Sequence, residues 1–156
     1  MSTIMLSELM QYRNEDVLSR FTDLMDVTGE EAEDIFTETK KFLFICHQPG
    51  VFIPDELLIV DEMWHNFILF TKEYQEFCAF YFGGYLHHTP ATKAVKTQHQ
   101  QELAADAAAV KNAFNEKIAR LMSVAYDKLG PDTVVKWFQQ YPNQYSKQAI
   151  KNLRKY

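Results

Sequence analysis

Asp61, His65, Cys78 and His88 bring a carboxylate, two imidazoles and a thiol into one short stretch of a 156-residue chain. These are the donors from which proteins assemble tetrahedral zinc sites. Asp61 and His65 stand four residues apart, so on a helix they share a face, where the carboxylate can fix the imidazole tautomer or share a metal with it. Tyr74 and Cys78 repeat that four-residue step. His87 and His88 follow Gly83-Gly84, where the chain can turn back toward the preceding helices. One of two adjacent histidines normally points inward, and Pro90 helps to set which.

The spacing leaves three readings open. The stretch has no CxxC pair of the kind that marks a structural zinc site. Its histidine can therefore be a ligand, or a structural group donating to Asp61 and packed beneath Trp64 with Cys78 as a small buried hydrophobe. The same residues would serve an enzyme in which Cys78 is activated by His65 or His88 and Asp61 orients the base, or in which a metal keeps an open position. Cys78 sits among Phe77, Phe80 and Tyr81 in mid-helix, away from the electropositive helix N-terminus that a reactive thiolate favours. Cys46-His47 is a weaker pair of the same type at a helix end.

The elements that must position these groups read as helices throughout. Asn14 can cap a helix carrying Val17, Leu18, Phe21 and Leu24, and Thr28 with Glu31 forms a capping box before a longer stripe from Ala32 to Cys46. Pro49-Gly50 ends that helix. Pro54 suits the first turn of a third helix, apolar over more than half its circumference and hence central. Thr71 opens a fourth helix or marks a bend before the Gly83-Gly84 break. Residues 85–94 read as loop. One long amphipathic helix is expected from about Thr97 to Leu129, with Leu103, Val110, Phe114, Ile118 and Leu121 on its stripe, and the alanine-rich run from Ala104 to Ala109 should let a neighbour pack closely. A short helix around Trp137 follows, Pro142 interrupts it, and Ser146 starts a final basic turn or two. The expectation is one all-α domain over residues 1–156, a compact bundle of about six helices with its motif block at 54–90.

Composition bounds the function. At 47% hydrophobic and 14% aromatic, the chain has enough apolar surface for a core of its own. Residues 1–62 hold 14 acids against 4 bases, and residues 63–156 hold 7 against 12. An acidic front half argues against nucleic-acid binding, which needs clustered Lys and Arg. No apolar run is long enough to cross a bilayer, and the first residues lack the pattern of an export signal. A cytoplasmic protein with Cys46 and Cys78 reduced is the expectation. The aromatic residues fall at helical spacing and read as core, and Gly83-Gly84 lacks the lysine and further glycines of a phosphate loop.

Asp61, Trp64-His65, Tyr74, Cys78, Gly83 or Gly84, Leu86 and a histidine before Pro90 resemble the conserved segment of the glycine-rich-domain-containing proteins of plants and their shorter bacterial relatives, a domain of unknown function. The resemblance covers about thirty residues. It implies that His65, Cys78 and His88 form a unit. Phe67 departs from the pattern, since plant members often carry a second histidine at that position. The glycine-rich and RNA-binding portions of those proteins have no counterpart here. The resulting expectation is a small helical module with a zinc-like site of Asp61, His65, Cys78 and His88 that docks on another protein, and neither on nucleic acid nor on a membrane. The alternative is a thiol- or metal-dependent enzyme at the same residues.

Overall fold

The computed structural model describes residues 5–88 and 92–156, so Pro90 lies outside the described residues. Among these, nine helices form and no strand. They are α1 (Leu6–Leu9), α2 (Glu15–Leu24), α3 (Gly29–Ile45), α4 (Leu58–Ile68), α5 (Thr71–Phe82), α6 (Lys93–Ala105), α7 (Ala107–Leu129), α8 (131–144) and α9 (Lys147–Leu153). The all-α expectation holds, with nine helices in place of about six.

The helix starts follow local chemistry. The side chain of Asn14 accepts from the Val17 amide and that of Thr28 from the Glu31 amide, each satisfying a donor that the first turn leaves free. Pro54 precedes a single 3-10 turn, Asp55–Leu57, that runs directly into α4. α3 and α4 pack on each other at the centre, with α2 across both and α1 and α7 against α3. Phe21, Ile35, Phe42, Leu43, Met63 and Phe67 meet there without solvent contact or nearly so. Burying side chains of this size contributes about 1.5–3 kcal/mol each.

Two expectations about the second half need correction. The single helix from Thr97 to Leu129 is two helices, and the first begins at Lys93. Asp106 makes the break. Its backbone is extended, with φ of −156°, and its carboxylate accepts from the Ala109 amide at 3.0 Å. A short acidic side chain that can cap its own downstream turn competes with continuing the helix, even inside an alanine run. The stripe on α7 is buried only at Leu121 and Ala125, while Leu103 and Phe114 stay exposed and α6 buries nothing. Nor does Pro142 interrupt its helix. The five residues Lys136–Gln140 widen into a π turn ahead of it, which accommodates the missing N–H and lets α8 continue to Gln144.

The charge asymmetry of the sequence closes on itself. Lys136 on α8 pairs with Asp34 and Glu38 on α3, Lys41 pairs with the same Glu38, and Arg154 pairs with Glu62 on α4. Beyond α9 the chain runs back along the end of α2. There the Asp26 amide donates to the Leu153 carbonyl and the Lys155 amide to the Leu24 carbonyl, an isolated antiparallel bridge that fixes the position of Arg154.

Candidate functional site

α4 carries Asp61, Trp64 and His65; α5 and the loop after it bring the partners. Gly83 ends α5 with φ of +69°, a left-handed conformation that glycine adopts without strain. The chain then folds back over α4. The hydroxyl of Tyr74 donates to the Leu86 carbonyl at 2.6 Å and accepts from the Trp64 indole N–H at 2.9 Å. This relay clasps the loop to both helices through groups that are otherwise buried. Burial, against the opposing hydrogen bond from Trp64, pushes the Tyr74 hydroxyl far up, so it stays protonated and keeps its donor.

His88 lies flat on Trp64, with ring centroids 4.1 Å apart and planes within 6°. Its Nε2 sits 2.6 Å from Asp61 Oδ1. An ionised carboxylate only accepts, so the imidazole N–H donates. His65 Nδ1 lies 3.4 Å from the other oxygen, Asp61 Oδ2. The imidazole rings of His65 and His88 are 4.5 Å apart. One ligand atom from each of Asp61, His65 and His88 thus falls within 4.8 Å of the other two. Exposure is graded across the group: 13% for the His88 side chain, 25% for Asp61 and 57% for His65. The inward member of the histidine pair is His88, while His87 faces solvent against Tyr85.

Cys78 falls outside that group. It is fully buried beside Tyr74 and the backbone of Leu86, and burial pushes its thiol up, away from the thiolate form. Burial likewise pushes Cys46 up to about 12. The block that reads as one unit in the sequence therefore resolves into two. Trp64, Tyr74, Cys78 and Leu86 make a dry clasp, and Asp61, His65 and His88 make a polar group at its solvent edge.

Some polar positions have a role that hydropathy does not announce. Asn66, on the apolar α4, is buried; its amide donates to the Val17 carbonyl at 2.8 Å and accepts from Arg20 at 2.7 Å. Lys40, on the buried stripe of α3, donates to the Met10 and Tyr12 carbonyls. The signal for each is a polar residue at a position where helical periodicity calls for an apolar one.

Comparison with known proteins matches residues 9–129 to a family model described as UCP032817-like. The matched range takes in Asp61, His65, Cys78 and His88 and ends with α7. No curated protein and no solved structure matches the chain.

Proposed function

We propose, for a chain that belongs to the UCP032817-like family, that Asp61, His65 and His88 hold one divalent transition-metal ion, zinc foremost, and that the ion fastens the loop after α5 to α4. The observation that carries this reading is the convergence of two imidazoles and a carboxylate within 4.8 Å. Nitrogen and oxygen donors of this kind suit zinc, which takes three protein ligands and leaves a fourth position to solvent when the site is open. A carboxylate and an imidazole joined across a proton offer the ion a place once that proton leaves, so uptake releases protons and weakens in acid.

The module would act by docking on another protein in the cytoplasm, as a single unit over residues 1–156. Protein is favoured over nucleic acid because Lys136 and Arg154, which look free in the sequence, are engaged by Asp34, Glu38 and Glu62. The resemblance of the Trp64 to His88 segment to the glycine-rich-domain-containing proteins supports treating the block as a unit, and that finer family name belongs to this proposal. A second reading is favoured by one observation. His65 is more than half exposed, so an ion held there would meet solvent and could act in metal-dependent hydrolysis. The raised Cys78 thiol points away from a thiol enzyme.

Metal analysis of untagged protein tests the reading. Near one equivalent of zinc per chain, lost in both Asp61→Asn and His88→Ala and kept in Cys78→Ser, is the expected result. Wild-type protein that stays metal-free after incubation with zinc would overturn it.

A further inference from the structure

A cavity of about 270 Å3 opens between α2, α4 and the chain beyond α9. Its apolar wall is made by Phe21, Leu24 and Leu69, and its polar rim by Arg20, Glu62, His65 and Arg154. The two arginines differ. Arg154 is neutralised by Glu62. Arg20 has no carboxylate within ion-pair distance among the described residues, and its guanidinium rests on the neutral amide of Asn66 at 2.7 Å. Asn66 is buried and is itself held by the Val17 carbonyl at 2.8 Å. The guanidinium is therefore aimed by a fixed support and carries a full positive charge at the mouth of an apolar pocket. A planar fork of N–H donors in that setting matches a carboxylate, and the phenyl and aliphatic wall matches an uncharged body behind it.

We propose that this cavity binds a small organic acid, with its carboxylate on Arg20 and its apolar body against Phe21, Leu24 and Leu69. The inference goes beyond the metal reading. The two share His65 as a neighbour, but Arg20 and Asn66 take no part in holding an ion, so the readings fail separately.

The test is a titration of the 15N-labelled full chain with 4-phenylbutyrate, followed by amide shifts, with 4-phenylbutanol and inorganic phosphate in parallel. Saturable shifts centred on Phe21, Leu24 and Leu69 with the acid, at least tenfold weaker with the alcohol, are expected. Arg20→Gln should weaken the acid at least tenfold and Arg20→Lys should restore part of that loss, with the spectra reporting whether each variant is folded. Asp61→Asn should leave the affinity within twofold, even where zinc uptake is lost. Equal binding of acid and alcohol to the wild type would overturn the proposal, because the cavity would then be an apolar groove without anion recognition. Preference for phosphate over the acid, or no saturable shift, would overturn it as well.

Discussion

Two of the polar clusters that join elements of this protein are finished to different degrees. Between α3 and α8, Glu38 is 2% exposed and both its oxygens are engaged: Trp137 donates to Oε1 at 2.8 Å, and Lys41 and Lys136 reach Oε2 at 3.2 and 3.3 Å. Asp34 beside it takes Lys136 on one oxygen and the Tyr141 hydroxyl on the other. Burial, and then the two acids, push that hydroxyl far up and keep it a donor. Between α4 and the loop after α5, Asp61 has one short partner, His88, and one loose one, His65, with solvent alongside. Glu38, shut from solvent with a partner on each oxygen, holds the fold, while Asp34 forms the open end of its cluster with a side chain 43% exposed. The second cluster retains lone pairs at a half-exposed edge, and that is where a ligand can enter.

The largest way to break this contrast is Glu38→Ala. It leaves Lys136 beside Asp34 alone and the Trp137 N–H without a partner in the interior, and should lower stability by about 3–5 kcal/mol in urea unfolding. A loss under about 1 kcal/mol would mean the closed cluster is not what holds α8 to α3. Tyr74→Phe comes next. It strands the Trp64 N–H and the Leu86 carbonyl, for about 1–3 kcal/mol, and should loosen the loop that presents His88. Asp61→Asn should change the unfolding free energy of metal-free protein by less than about 1 kcal/mol while abolishing zinc uptake. Destabilisation on the scale of Glu38→Ala would instead class Asp61 with the structural cluster.

Two lysines, one buried and one half-buried, separate the two kinds of partner with a smaller effect. Lys136, half-buried against the opposing cost of desolvation, is raised by its two acids. Lys40, only 3% exposed, has backbone carbonyls as partners; burial, and then Arg13, lower it to about 8, against the opposing pull of Glu33. Folded protein therefore releases the Lys40 proton near pH 8 and the unfolded chain near 10.5. Between those values the unfolded state binds more protons, so Lys40 destabilises fully below pH 8 and progressively less above it. Measured against Lys40→Met, wild type should gain stability from pH 8 to 10.5, with a slope of at most about 1.4 kcal/mol per pH unit. A flat difference would show that Lys40 keeps its proton in the fold.

Much of this architecture is legible in the sequence because it is local. The caps at Asn14, Thr28 and Ser146 and the glycine that ends α5 are set by residues within a few positions of one another. The break at Asp106 and the π turn before Pro142 were not legible, since each depends on a local alternative winning over a longer helical pattern. The candidate site divides the same way. The four-residue step makes Asp61 and His65 neighbours, whereas the choice of His88 over His87 depends on stacking against Trp64. Cys78 joins the motif by spacing, yet the Tyr74 relay takes it into the dry side. The Glu38 network is local only in Lys41, three residues on; its partners Lys136 and Trp137 lie about a hundred residues away and have no local signature.

Zinc K-edge X-ray absorption on protein loaded with one equivalent reads the donor atoms themselves. The expected shell is nitrogen and oxygen alone at about 2.0–2.2 Å, with imidazole scattering from two rings. A sulfur scatterer at about 2.3 Å would place Cys78 on the ion, and a shell of water oxygen without imidazole would mean the three side chains hold no metal.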